Sequence, residues 1–429
     1  MHVLMLSWEY PPKVVGGIAR HVYDLSRAMV AQGSEVTVIT CGSQDAPAFE
    51  LVNGVKVYRV TMNNPSTPDF LTWVLQLNLN MVEQANRLVL MGEKFDIVHS
   101  HDWLAAFAGK NLKHAWQIPL VSTIHATEYG RNMGLHNDLQ RYISNVEWWL
   151  GYESWRVICC SQYMRKELLG VFQIPDDKIQ IIPNGVYPED FQKTTMDTSK
   201  IRNNYCASNE KIIFHVGRIV REKGLGVLLD AFSRVLAVEP QTKLIIAGRG
   251  PYSEELRYRA YQLGIYGRIY FTGYIDDDTR NALYKCSDVT VFPSLYEPFG
   301  IVALEGMAAG TALVVSDTGG MSEIIQHGVN GLKAYNDNPV SLADNILWAL
   351  HNPEHTLKMR AKALEDIKNL YDWNKLAMQT LFTYQQILEE YQNSTWHAVM
   401  HEEAARDAMM SSMLRPIEAE EMSRYRDIH

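Results

Sequence analysis

The sequence predicts an α/β protein of two Rossmann-like domains whose parallel sheets face each other across a cleft. Three observations predict it. Short apolar runs alternate with stretches of helical period along most of the chain. Each half opens with a strand, a glycine-containing loop and a helix. At 429 residues the chain is long enough for two separate cores. No short-period repeat competes with this reading.

Composition narrows the class. Hydrophobic content of 47% and charge of 21% fit a globular protein. A net charge of -9 argues against broad electrostatic binding of nucleic acid. No apolar run reaches the roughly 20 residues that span a bilayer. Met1-His-Val-Leu-Met-Leu-Ser7 lacks a basic n-region and a cleavage site, so it is not read as a secretory signal. Five cysteines, without ligand spacing, are expected to be reduced in a cytoplasmic protein.

In chain order, residues 1–192 form the first domain. The run 2–7 is the first strand, 18–31 a helix ended by Gly33, and 35–40 the second strand. Gly16 and Gly17 precede that helix at the C-terminal end of a parallel strand, where open α/β sheets bind ligands. Paired glycines let backbone N–H groups approach a phosphate. A strand over 53–61 and a helix over 69–91 follow, the latter carrying Leu71, Val74, Leu75, Leu79, Val82, Ala85 and Leu88. The strand 95–99 ends in His99-Ser-His101-Asp102-Trp103, and the strand 119–125 ends in His125. Two histidines and an aspartate invite a metal reading. It is set aside because His99 and His101 are expected to point apart, with no further ligand cluster. A helix over 139–155 leads to the strand 156–161, where Ser161 can cap the helix after it. The turn Pro183-Asn184-Gly185 closes the domain.

Residues 193–210 are polar, lack an apolar period and read as a linker. The second domain, 211–372, opens with the strand 211–217. Arg218 and Lys223-Gly224 follow in a strand-to-helix loop, one a planar fork and the other a point charge for phosphate. Strands at 243–248 and 268–273 come next, the second followed by Tyr274-Ile275. Asp276 can cap the next helix. The apolar run 288–292 then leads into Pro293-Ser-Leu-Tyr-Glu-Pro-Phe-Gly-Ile-Val-Ala-Leu-Glu305. Pro298 keeps Glu297 out of helical geometry. A helix starts after Gly300, with Glu305 about one turn inside. Free N–H groups at Phe299, Gly300, Ile301 and Val302 favour an anion. Two acceptor carboxylates beside an anion site suit a ligand with hydroxyls and a phosphate, such as a sugar nucleotide. A strand at 312–316, the glycine-rich stretch 319–331, helices at 339–350 and 354–370 and an amphipathic helix at 373–392 complete the pattern. The tail 393–429 is extra. Its Met-rich part, 400–414, is read as an amphipathic helix or a frayed end, with partner, dimer or peripheral contact on the inner face of a membrane as its uses.

Glu297-x7-Glu305 with Pro-Phe-Gly inside it, Gly217-Arg218-x4-Lys223-Gly224, the strand-end His125 and the 319–331 stretch resemble retaining glycosyltransferases of family 4. These are glycogen-synthase-like enzymes with two Rossmann domains (GT-B). The resemblance spans about residues 1–391 and implies a final helix crossing back to the first domain. It implies a nucleotide diphosphate sugar as donor substrate, with no cofactor, and a glycan or glycolipid acceptor. In such a site Arg218 and Lys223 clamp the diphosphate, and Tyr274 and Ile275 meet the base through backbone groups. Glu305 takes the ribose, Glu297 the sugar hydroxyls, and His125 lies near the sugar. His101 and Asp102 face the acceptor. Lys13 stands one residue further from its glycine pair than in the family, and that departure puts a carried-over role for it in doubt. No Asp-x-Asp triplet of the kind that holds an ion beside a diphosphate is read, so metal independence is expected. Family frequency favours a UDP-sugar, UDP-glucose first. Glu9-Tyr-Pro-Pro12 leans towards an ADP-sugar glucan synthase or sugar-phosphate-forming transferase. A silent sugar-nucleotide binder is the third reading, against which the intact charged residues speak.

Overall fold

The computed structural model describes residues 1–61 and 66–397. The Met-rich stretch 400–414 lies outside them. The first domain holds eight strands: β1 His2–Ser7, β2 Glu35–Cys41, β3 Phe49–Val52, β4 Val55–Val60, β5 Ile97–His101, β6 Leu120–Ile124, β7 Arg156–Cys159 and β8 Ile179–Ile181. Their order is β3-β4-β2-β1-β5-β6-β7-β8, parallel except for β3 against β4. The second domain holds β9 Lys211–Val216, β10 Thr242–Ala247, β11 Ile269–Gly273, β12 Val289–Phe292, β13 Leu313–Ser316 and β14 Leu332–Ala334. Their order is β11-β10-β9-β12-β13-β14, all parallel. Helices cover both faces of each sheet, so central strands such as β1 and β12 are buried throughout and read as continuous apolar runs.

Strand order reverses at one place in each sheet. In the first domain β1 lies between β2 and β5. In the second β9 lies between β10 and β12. Crevices at such switch points are where open sheets take ligands. The loops that leave β1 and β5, and those that leave β9 and β12, carry most of the candidate site residues.

The helix Trp373–Gln392 crosses back onto the first domain and packs on the helix Gly17–Ala31. Asp372 caps it by accepting from the N–H groups of Asn374 and Lys375. Its buried face, Trp373, Leu376, Ala377, Tyr384 and Ile387, joins the core of β1 and β2. Trp373 is 1% exposed. Trp373→Ala should therefore cost about 3–5 kcal/mol, the usual range for emptying an aromatic site. Urea unfolding would measure it, and a loss under 1 kcal/mol would mean the helix does not brace this domain.

Two sequence expectations change. The run 53–61 is not one strand. Asn53 and Gly54 have φ of 50° and 80° and form the turn of a β3–β4 hairpin, as Asn-Gly favours. The stretch read as a linker for want of an apolar period contains a helix, Thr198–Tyr205, capped by Asp197. Only Ile201 and Tyr205 of it pack on the core, too few to register as an apolar period. All five cysteines are free. No helix among the described residues is long and apolar enough to cross a membrane.

Candidate active site

The second domain supplies a charged pair. Lys223 closes a short turn after β9, and Glu297 sits in the loop after β12. Nζ and Oε2 meet at 2.6 Å, with the side chains 18% and 9% exposed. Ser294 donates to the same oxygen at 3.2 Å. The two loops are stitched by backbone: the Leu295 N–H donates to the Glu222 carbonyl at 2.8 Å. Gly224 makes this approach feasible, because a Cβ there would lie 1.9 Å from the Pro293 oxygen. Arg218 is 39% exposed and has one ion partner, Glu222, at 3.6 Å. Beyond Glu297, Gly300 at φ 108° starts the helix Ile301–Ala309 with no side-chain cap, leaving its first N–H groups for an anion. Glu305 lies half-buried inside that helix and accepts from the Tyr284 hydroxyl at 3.4 Å.

The first domain supplies histidines. His99 and His101 were expected to diverge. As residues two apart on β5 they share a face instead, with ring centroids 4.2 Å apart. The His101 Nδ1 lies 3.2 Å from the His125 Nε2. His21, from the helix Gly17–Ala31, packs on both, 4.6 Å from the His125 ring. Burial pulls all four imidazoles down, His21 to about 4 and His99 to about 3. His125 is thus a neutral hydrogen-bonding group at the cleft. His101 is fully buried, and Asp102, 4% exposed, accepts the main-chain N–H of His125 at 2.7 Å. Both were expected to face the acceptor, and both are buried next to His125. Burial pushes the Asp102 carboxyl up to about 6.

The glycine loop is already filled. The N–H groups of Val15 and Gly16 donate to Glu9 Oε2 at 2.5 and 2.9 Å. Glu9 is 1% exposed, so the protein's own carboxylate takes the inner amides expected for phosphate. Gly17 faces the second domain, where a Cβ would lie 3.0 Å from the Ile301 side chain. Lys13 turns away, with Nζ 3.0 Å from the Cys41 sulfur. Tyr274 is 71% exposed and Ile275 half-buried at the end of the edge strand β11. The chain does contain Asp276-Asp277-Asp278, but these cap a helix, pair with Arg280 and accept from Thr194.

The domains touch across the cleft. The Tyr296 hydroxyl donates to Glu167 at 3.1 Å, and the Ser161 hydroxyl to the Pro298 carbonyl at 2.6 Å. Glu323 accepts the N–H groups of Gln162 and Tyr163. Sequence reasoning missed Glu9, His21 and Tyr296. His21 had one signal: it lies on the apolar helical face with Ile18, Val22 and Leu25.

One histidine beside the site sets a pH expectation. His215, in β9, donates from Nδ1 to the Val291 carbonyl at 2.8 Å. Burial pulls it from the ordinary 6.5 to about 4. Between those values the unfolded chain takes up a proton that the folded one refuses, so stability falls as pH drops through the window. A His215→Gln variant should show a flatter loss of melting temperature from pH 6.5 to 4 than the parent. Equal slopes would contradict the assignment.

Comparisons with known proteins give the family and the fold. Residues 15–190 match the family model described as Glycosyltransferase Family 4, and residues 197–366 that of Glycosyl transferases group 1. An uncharacterised glycosyltransferase of Methanocaldococcus jannaschii is 40% identical over 393 residues, covering 91% of this chain and 99% of that one. A glycogen synthase of Mycobacterium tuberculosis is 34% identical over 402 residues, covering 90% and 94%. Among solved structures, sucrose-phosphate synthase from Thermosynechococcus elongatus superposes with a TM-score of 0.78 at 23% identity, covering 91% and 99%. Anabaena HepE in complex with UDP-glucose superposes at 0.73 and 21%, covering 90% and 100%. At that identity the last two likenesses speak for the fold.

Proposed function

The chain belongs to the group 1, family 4 glycosyltransferases, and on that premise we propose that it is a retaining, metal-independent hexosyltransferase. The donor is a nucleoside diphosphate sugar, UDP-glucose first. The acceptor is a glycan, with an α-glucan favoured by the likeness to a glycogen synthase. The observation that carries this reading is the Lys223–Glu297 pair beside the uncapped start of the helix Ile301–Ala309.

Breaking the anomeric bond places negative charge on the leaving diphosphate. Lys223, Arg218 and the helix N–H groups are fixed where that charge develops, and such preorganised stabilisation is usually the largest catalytic contribution. These cations supply the positive charge, so no dication is required. Glu297, whose Oε2 is held by both Lys223 and Ser294, accepts from the sugar hydroxyls and orients the ring. Glu305 accepts from the ribose. His125, neutral, hydrogen-bonds the sugar.

The test is nucleotide release from UDP-, ADP- and GDP-glucose, in EDTA, with and without a maltooligosaccharide. One donor should dominate, EDTA should change nothing, and the product should be α-linked by proton NMR. Loss of turnover in EDTA would sink metal independence, and a β-linked product would sink retention. Silence with every donor would overturn the donor site. A dominant ADP-glucose signal would move the reading to an ADP-dependent glucan synthase.

A further inference from the structure

The cluster behind the cleft has features that hydrogen bonding to sugar does not use. His21, His101 and His125 each offer one nitrogen, and these three atoms lie within 4.8 Å of one another. The Nε2 atom of His21 is buried and has no hydrogen-bond partner. Orphaned polar atoms in a dry interior are costly and call for a partner. The His21 tautomer is set from outside: Nδ1 lies 2.5 Å from the Asn184 side-chain oxygen, which can only accept. Nδ1 therefore carries the proton, and Nε2 presents its lone pair to the cluster. That arrangement, one ring nitrogen held by an oxygen acceptor and the other free, is how metal-ligating histidines are oriented.

We propose that His21, His101 and His125 form a binding site for a transition-metal dication of the Zn2+ class, and that its occupation inhibits transfer. Imidazoles without carboxylate or water-rich surroundings select Zn2+, Co2+, Ni2+ or Cu2+ over Mg2+ and Ca2+. Three histidines leave a fourth position open. Zn–N bonds of about 2.0–2.1 Å place tetrahedral ligand nitrogens about 3.3 Å apart. The His101–His125 pair already stands at 3.2 Å. The widest pair has to draw in by about 1.5 Å, a shift in the reach of small χ rotations. His125 is half-buried at the cleft, which gives the ion its entry and its open position. A metal on His125 takes the lone pair and the ring orientation away from the sugar. The binding arm of this proposal is independent of the reading of the enzyme. The inhibition arm rests on it.

The experiment uses the untagged full chain, stripped with EDTA and dialysed. Co2+ is the probe, because tetrahedral coordination by nitrogen gives visible absorption that Zn2+ displaces. One equivalent of Co2+ should bind, Zn2+ should displace it and Mg2+ should not. His21→Gln should weaken Zn2+ affinity at least tenfold, the scale on which perturbing such a site acts. Zn2+ should slow nucleotide release in the parent and lose that effect in His21→Gln. Absence of a Co2+ spectrum in the parent overturns the site. Zn2+ affinity unchanged in His21→Gln assigns the metal to other histidines and overturns it as well. Should His21→Gln fail to fold, His101→Gln replaces it, and the parent Co2+ spectrum decides alone if neither folds. If no donor is turned over, the spectrum and the stoichiometry still read the site.

Discussion

Arg218→Ala is expected to lower kcat/KM by about 10²–10³-fold while leaving the melting temperature almost unchanged. The rate figure is that of removing one preorganised donor from a developing anion. The stability figure follows from the surroundings. Arg218 is 39% exposed, and its ion partner Glu222, four residues on, is 3.6 Å away. Exposed pairs of that kind contribute about 0–1 kcal/mol. Lys223→Ala should lower the rate at least as far, but the fold would suffer as well. It leaves Glu297, 7% exposed, with a hydroxyl and no cation. Stranding one half of a buried pair costs about 3–5 kcal/mol. The double variant Lys223→Ala/Glu297→Gln should then regain melting temperature without regaining turnover. Steady-state kinetics and thermal melts on the same four proteins test this. Parent-like turnover in Arg218→Ala would remove it from the diphosphate site.

Much of this site was legible because it lies in loops that follow strands. A strand, a glycine and a charged loop are local signals. They mark Arg218, Lys223 and Glu297 as loop residues that follow strands, and the strand order brings those loops to one switch point. What stayed hidden depends on which groups meet across the chain. Glu9 fills the amides of Val15 and Gly16 through a bend that residue identity does not encode. Gly16 and Gly17 therefore read as an open phosphate nest, although the inner part is occupied. His21 is one buried residue on a helix, and its meeting with His101 and His125 needs the packing of that helix on the sheet. His99 and His101 were misread for a simpler reason. The strand continues to His101 rather than stopping at His99, so the two share a face. Tyr296 and Glu167 belong to different domains, and only the packing of the two domains joins them.

Gly319→Ala is expected to damage both stability and turnover, and a second glycine of the same stretch supplies the control. Gly319 has φ of 53°, where a side chain costs about 1–2 kcal/mol. A Cβ there would also stand 2.0 Å from the Glu297 carbonyl oxygen. That oxygen accepts the Gly320 N–H at 2.9 Å, so the two loops are pinned together at the residue proposed to orient the sugar. Relief requires the Glu297 peptide to move, and a displacement near 1 Å at such a position can cost about 10²-fold in rate. Overpacking adds about 1–3 kcal/mol to the strain. Gly328 has φ of 75°, with nothing within 4 Å of its added Cβ. Gly328→Ala therefore meets the backbone strain alone, and should lose a few degrees of melting temperature with kcat/KM intact. If the two variants behaved alike, strain would account for both, and the contact of Gly319 with Glu297 would not be what sets the sugar-side carboxylate. If only Gly319→Ala lost turnover, the glycine-rich stretch after β13 would act as the floor against which Glu297 is held.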